Sequence, residues 1–132
     1  MARTDLLTMD DLLSDISPER RAAWERLALA RGVANALVAY RGRHKLSQRA
    51  LAARLGVRPS IVGRLELAEH NPSIDTLRHL SHALGLHFAF EVVPPGQEPE
   101  YLAASEGRDG KEAFAHDKQD TRVLVAATAA TG

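Results

Sequence analysis

The apolar positions of residues 47–67 repeat at helical spacing in two short blocks, with a glycine between them. In the first block, Leu51, Ala52 and Leu55 lie three and four residues apart, so they share one face of a helix. In the second block, Val62 and Leu65 continue an inward face in the same way. The pattern therefore predicts two short amphipathic helices that follow each other almost directly.

The residues at the ends of these blocks support the same interpretation. Ser47 can cap the first helix, because a serine oxygen accepts from the free N–H groups of the first turn. Gly56 readily adopts the left-handed conformation that ends a helix, and Pro59 suits the first position of the next one. Leu46 and Leu51 have the spacing of a hydrophobic staple. Together they predict a helix-turn-helix unit, whose second helix can enter a DNA major groove.

Further helices are predicted on both sides of this unit. Ser17 and Pro18 are typical first residues of a helix, which we expect to run to about Arg41 with a bend at Gly32. On the other side, Ser73 can cap a helix that ends at a glycine after Leu84.

The period changes to two after this last helix. Leu86, Phe88, Phe90 and Val92 alternate with their neighbours, which predicts a strand over 86–93. A lone strand exposes unpaired N–H and C=O groups along its edges, so it needs a partner. Two partners are compatible with the sequence: the same strand of a second subunit, antiparallel about a two-fold axis, or the apolar run at Arg122–Ala127.

Composition predicts one domain with tails in this chain of 132 residues. Residues 1–16 are expected to be a flexible acidic segment in which Thr8–Ile16 could form a short helix, residues 17–95 the domain, and residues 96–132 a disordered tail. The chain has no cysteine, which excludes disulfides and thiolate zinc sites. Without a membrane-spanning apolar run or a signal peptide pattern, we expect a soluble cytoplasmic protein.

Charge is unevenly distributed along the chain. The net charge is −3 over residues 1–16, +6 over 17–95 and −3 over 96–132. The stretch 41–64 holds seven basic residues and no acid. A cationic centre is typical of a nucleic-acid-binding domain. The alternative is a solvated helix face, but the coincidence with the helix-turn-helix favours the binding role.

Catalytic and metal chemistry find little support. His79, His82 and His87 lie close in sequence, but a metal site needs further ligands in a defined geometry. The chain shows no phosphate-binding glycine loop and no nucleophile motif. We therefore expect no enzyme activity, no metal and no cofactor.

Residues 37–86 resemble the Xre/Cro-like helix-turn-helix proteins, which have the lambda-repressor-like fold and include many antitoxins. The matching segments are LSQRALAARLGV, RLE at Arg64–Glu66 and NPSIDTLRHLSHALGL from Asn71. Arg58, Gly63 and Ala68 depart from the usual pattern. The resemblance implies a mainly α fold, a helical bundle followed by one short C-terminal strand. Because such proteins often dimerise through this strand, it favours the second subunit as the strand's partner.

The resemblance also implies an ion pair between Arg41 and Glu66 beneath the helix-turn-helix. Base reading is expected from the first turns of the second helix, because arginine can address guanine through paired hydrogen bonds. Phosphate contacts are expected from the end of the long helix and the start of the first helix of the unit. The base-reading candidates are Arg58, Pro59, Ser60, Ile61 and Arg64, and the phosphate candidates are Arg43, Lys45, Ser47, Gln48 and Arg49.

These expectations define a homodimeric transcriptional repressor that binds a palindromic operator in double-stranded DNA and localises with the nucleoid. A more specific form is an antitoxin that regulates its own operon and also binds a toxin protein. The alternative is a protein-interaction module without DNA binding, with Trp24, Phe88 and Phe90 as its contact surface.

Overall fold

The computed structural model describes residues 17–102 and 121–129. The elements are α1 (Pro18–Arg26), α2 (Ala28–His44), α3 (Gln48–Leu55), α4 (Pro59–Leu67), α5 (Ile74–Leu84), β1 (Leu86–Val93) and β2 (Arg122–Ala129). The prediction of a mainly α fold with a helix-turn-helix and a strand after the helices is confirmed. The acidic segment 1–16, with its predicted helix Thr8–Ile16, lies outside the described residues.

The long first helix is interrupted at Leu27, not bent at Gly32 as predicted. The side-chain amide of Asn71 binds both helix ends at this break: Oδ1 accepts from Ala30 N at 3.1 Å, and Nδ2 donates to Arg26 O at 2.9 Å. The first N–H and last C=O groups of a helix have no partner within it. Asn71 therefore satisfies one such group on each helix and stabilises the break.

Gly32 lies within α2 and has a packing role. A Cβ atom built on this residue would lie 2.6 Å from Cγ1 of Val125 in β2. Any side chain there would collide with the strand. The glycine therefore allows β2 to approach the backbone of α2.

The main core lies between α2, the helix-turn-helix and α5. Its buried members come from every helix from α2 to α5 and from the start of β1. Burial of this apolar surface is the main stabilising contribution to the fold, and it holds α3 and α4 on α2 and α5. The residues are Val33, Leu37, Tyr40, Leu51, Ala52, Leu55, Val62, Leu77, Leu80, Leu84 and Leu86.

The partner of β1 is the second strand of the same chain. β1 and β2 pair antiparallel, with Leu86 opposite Ala129 and Val93 opposite Arg122. The prediction that a second subunit pairs with this edge of β1 is therefore wrong. The prediction of a disordered tail over 96–132 is also wrong for Arg122–Ala129, which form β2. The physical reason is burial on both faces of β2: Leu124 and Val125 are each 1% exposed.

The segment that follows β1 folds back onto the sheet. The carboxylate of Glu91 accepts hydrogen bonds from the backbone N–H groups of Glu100, Tyr101 and Leu102, at 2.8, 3.1 and 2.9 Å. These bonds hold Leu102 over the face of the sheet opposite α2, so residues 100–102 are not part of a disordered tail. A second small core results, formed by Val93, Leu102, Leu124 and Ala126.

Candidate nucleic-acid interface

The turn between α3 and α4 is closed by backbone hydrogen bonds. Val57 N donates to Ala52 O at 3.0 Å and Gly56 N donates to Ala53 O at 3.2 Å, while Gly56 has a φ of 69°. This is the Schellman arrangement, which needs a left-handed residue where the glycine lies. At the other end of α3, the Ser47 hydroxyl accepts from Ala50 N at 3.0 Å. Both predicted caps of α3 are therefore present.

The second helix of the unit, α4, has less regular ends. Within the described residues, the Arg58 side chain makes no capping hydrogen bond, although Pro59 occupies the first turn as predicted. Ala68 ends the helix with a φ of 55°, a conformation that glycine adopts at lower cost. Val62 is fully buried and anchors the helix on the core.

Glu66 joins the three helices around the interface. Its Oε1 accepts from Arg41 Nε at 2.8 Å, and its Oε2 accepts from Arg41 Nη2 at 3.4 Å and from Gln48 Nε2 at 2.6 Å. Arg41 Nη1 also donates to Leu46 O at 3.2 Å. The Glu66 side chain is 7% exposed and that of Arg41 25%, so the pair is largely shielded from water. This network connects the end of α4 to the end of α2 and the start of α3.

Gln48, a predicted phosphate contact, also has a contact within the chain that the sequence did not predict. Its amide nitrogen is directed at Glu66, and its Oε1 lies 3.9 Å from a Cβ built on Gly63, which is the nearest atom among the described residues. Gly63 thus lies against the first turn of α3, and Ser60, one helical turn before Gly63, shares that face of α4. The predicted base-reading and phosphate residues therefore adjoin one another.

Most predicted interface residues are exposed. Ile61 is the exception, because it is half-buried and lines an apolar hollow with Leu55, Val57 and Leu65 against α5. The exposed ones are Arg58, Pro59, Ser60 and Arg64 on α4 or at its start, and Arg43, Lys45, Ser47, Gln48 and Arg49 around the α2–α3 junction.

Sequence reasoning missed Tyr40. This buried residue accepts a hydrogen bond at its hydroxyl from Arg54 Nη1 at 2.9 Å. The His44 ring lies 4.2 Å from the Tyr40 ring, and the Arg43 guanidinium lies 6.0 Å from it. Tyr40 therefore binds Arg54 of α3 directly and contacts the His44 ring of α2. The Tyr40–Arg54 contact joins positions 14 residues apart on two helices, so no spacing within one helix indicated it.

The surface suggested for a pure interaction module is partly occupied within the chain. The Arg31 guanidinium lies 3.4 Å from the centre of the Trp24 ring and donates to Trp24 O. Burial lowers the pKa of Arg31 to about 10, opposed by the charge of Glu25, so Arg31 remains a cation at neutral pH. Phe88 packs against the main core, whereas Phe90 is 46% exposed.

His79 makes a structural hydrogen bond to the end of α3. The Nε2–H of His79 donates to Leu55 O, the last carbonyl of α3, at 2.6 Å. In residues 17–102 and 121–129, the structure holds no group of three or more His, Cys, Asp or Glu side chains arranged for a metal ion.

None of the helices in those ranges is both long and apolar enough to cross a membrane.

Residues 37–90 match the family described as helix-turn-helix. The matched family is a helix-turn-helix of the Cro/C1 type, so the match confirms, over these residues, the resemblance to the Xre and lambda-repressor-like proteins. The family consists of DNA-binding regulatory domains and is not an enzyme family, so the domain supports a DNA-binding transcription regulator in general. Comparison with curated proteins and with solved structures gave no match.

Proposed function

We propose that the protein is a sequence-specific repressor that binds double-stranded DNA through α4 and the α2–α3 junction. The observation that carries the proposal is the Glu66 network, which holds α4 against α3 beside a cluster of exposed basic residues. A reading helix needs a fixed angle to place its side chains at base edges, and phosphate contacts set its register on the duplex.

The two groups of side chains have different roles in this proposal. Arg64 and Ser60 read bases in the major groove, with Arg64 best suited to the paired acceptors of guanine. Arg58 lies at the start of α4, close to both backbone and bases. Arg43, Lys45 and Arg49 contact phosphates, together with the first turn of α3 at Ser47 and Gln48.

The proposed active form is a homodimer on a palindromic operator, joined along β1. Of the predicted dimer residues, Leu86 and Phe88 pack into the core of their own chain, whereas Phe90 and Val92 are 46% and 59% exposed. β2 occupies one edge of β1, and no other described strand covers the second edge. A two-fold dimer requires half-sites about 34–36 Å apart, or a multiple of that spacing. A wild-type chain that sediments as a monomer at high concentration would contradict this form.

The more specific role is that of an antitoxin regulating its own operon. Its support is that α1 and the first part of α2 precede the matched residues 37–90, which leaves surface for a protein partner. Co-expression with a toxin-like protein from a neighbouring reading frame tests this role. Restored growth supports it, and unchanged toxicity contradicts it without affecting the DNA-binding proposal.

Variants of Arg64 and Arg43 separate base reading from phosphate contact. Binding is measured on a duplex from upstream of the protein's own gene and on a random duplex, over a range of salt. Arg64→Ala should lose about 1–3 kcal/mol on the specific duplex and little on the random one. Arg43→Ala should weaken both and lower the salt slope by about one.

Arg78→Ala is the matched control, because this exposed arginine lies on α5, away from the candidate interface. It should leave the binding of both duplexes almost unchanged. Equal losses on specific and random DNA for Arg64→Ala would remove Arg64 from base reading. Failure of the wild type to prefer any duplex would contradict sequence-specific repression.

A further inference from the structure

A group of basic side chains surrounds Tyr40 near the end of α2. Arg54, from α3, donates from Nη1 to the Tyr40 hydroxyl at 2.9 Å, and its guanidinium lies 5.9 Å from the centre of the Tyr40 ring. The Arg43 guanidinium lies 6.0 Å from the same ring, and the His44 ring lies 4.2 Å from it. Tyr40 is 6% exposed, whereas the three residues around it are exposed. The core therefore fixes the tyrosine, which presents its hydroxyl to one exposed arginine.

This group of basic side chains has no carboxylate to balance it. In the part of the chain that the structure describes, neither Arg43 nor Arg54 forms an ion pair. Glu66, the acid nearest to Arg54 in sequence, is already bound by two other side chains. Two guanidinium groups held near one ring without a countercharge attract an anion from outside the chain.

The direction of the Arg54 side chain brings its charge toward the α2–α3 junction. Long side chains on a helix point back toward its N-terminus, over the residue one turn earlier. For Arg54 that residue is Ala50, whose small side chain leaves room for it, and Ala50 N donates to the Ser47 hydroxyl in the first turn of α3. The guanidinium is therefore directed from the end of α3 toward its start, where Tyr40 holds it near Arg43.

We propose that Arg54 is a further contact to DNA phosphate, and that Tyr40 is the positioning residue that holds Arg54 for this contact. The inference rests on the proposed DNA-binding role of the α2–α3 junction. It extends the proposed phosphate contacts from the first turn of α3 to its last turn. The contact sets affinity and register and reads no base.

The hydrogen bond to Tyr40 suits this role. Arginine carries several N–H donors, and Tyr40 accepts from only one of the Arg54 nitrogens, Nη1. The other N–H groups stay available for a phosphate, which a guanidinium binds through paired N–H groups in one plane. Because the hydroxyl already holds the guanidinium, Arg54 loses less side-chain freedom on binding DNA than a mobile arginine would.

The salt dependence of binding tests the phosphate contact. Binding of the full chain is measured on the duplex from upstream of its own gene and on a random duplex, over a range of salt. Arg54→Ala should weaken both duplexes by the same factor and lower the salt slope by about 0.9, since one phosphate is no longer neutralised. Arg54→Lys keeps the charge and should retain the slope. Arg78→Ala, the exposed arginine on α5, is the control and should change neither affinity nor slope.

Tyr40→Phe tests the positioning role, because it removes the hydroxyl and leaves the ring in the core. In the wild-type background it should weaken the binding of both duplexes, by a smaller factor than Arg54→Ala. In the Arg54→Ala background it should have no further effect, since the hydroxyl acts only through the arginine. A loss by the same factor in both backgrounds would overturn the positioning role.

Urea unfolding separates this contact from a purely structural one. A pair that only stabilises the fold would lower the free energy of unfolding in Arg54→Ala and leave the salt slope unchanged, which overturns the proposal. An unchanged slope in Arg54→Ala beside a lower slope in Arg43→Ala would overturn this inference alone. Equal wild-type binding to both duplexes would contradict sequence-specific repression, while a lower slope in Arg54→Ala would still support the phosphate contact.

Discussion

At the scale of single residues, the important side-chain contacts join positions that are far apart in sequence. Glu66 accepts hydrogen bonds from Arg41, 25 positions earlier, and from Gln48, 18 positions earlier. Asn71 binds backbone groups of Arg26 and Ala30, 45 and 41 positions away. In each case one polar side chain binds groups on two separate helices, and one of its hydrogen bonds is partly buried, so its loss leaves that buried group without this partner.

Removing either member of the Arg41–Glu66 pair should destabilise the domain. Breaking a buried pair costs about 3–5 kcal/mol, because the remaining charge is left without compensation. We expect Glu66→Ala to lower the free energy of unfolding by well over 1 kcal/mol in urea denaturation, and Arg41→Ala by a similar amount. The double variant should lose much less than the sum. Additive losses, or losses of a few tenths, would mean that the pair contributes nothing.

Substitution of Asn71 should loosen the α1–α2 junction. Asn71→Ala removes both hydrogen bonds and should cost about 0.5–2 kcal/mol, the usual range for loss of a helix-capping side chain, since water can replace the exposed bond to Arg26 O. Asn71→Asp retains the acceptor for Ala30 N and loses the donor to Arg26 O, so a smaller loss is expected. Chemical denaturation gives the free energies, and amide exchange at Ala30 locates the effect. Protection of Ala30 that is unchanged in Asn71→Ala would contradict this role.

At the scale of elements, contact between α2 and β2 depends on a missing side chain. Val125 lies so close to Gly32 that the strand rests directly on the helix backbone. The same helix contains Gly42, around which no described atom lies within 4 Å of a built Cβ. Two glycines of one helix thus have opposite environments.

Alanine at these two positions should have opposite effects on stability. Gly42→Ala should stabilise the protein by about 0.5–1 kcal/mol, because alanine is the better helix former. Gly32→Ala has the same gain, but overpacking against Val125 should cost about 1–3 kcal/mol. Thermal and urea unfolding of the two variants measure the difference. Val125→Ala added to Gly32→Ala should relieve part of the collision, and equal stabilisation by both alanines would show that the contact is not tight.

At the scale of the whole molecule, residues far beyond the matched domain complete the fold. β2 lies between α2 on one face and the segment around Leu102 on the other. The sheet therefore adds a second small core to the helical bundle. We expect the stability of the helix-turn-helix domain to depend on residues 122–129.

Leu124→Ala tests this dependence. Leu124 is 1% exposed, and deleting a buried leucine side chain usually costs about 2–5 kcal/mol. Val38→Ala, on α2 and 49% exposed, is the control and should change stability by less than about 0.5 kcal/mol. Equal, small effects of both variants in urea unfolding would mean that residues 122–129 form a dispensable tail.

The sequence by itself determined the elements whose formation depends on neighbouring residues. The capping serines, the glycine turn at Gly56 and the apolar spacing of α3, α4 and α5 act within a few residues of each other, so their outcome could be predicted directly. The alternation of β1 and the basic stretch 41–64 are local in the same sense. The basic stretch located the candidate interface.

The tertiary structure alone decided where distant segments meet. The break at Leu27 depends on Asn71, the function of Gly32 on Val125, and the direction of the Gln48 amide on Glu66. The sequence allowed two partners for β1, and the choice of β2 followed from the burial of Leu124 and Val125 on opposite faces. Each of these outcomes is set by packing between elements, because the free energy of burial and of paired polar groups depends on contacts that no local pattern contains.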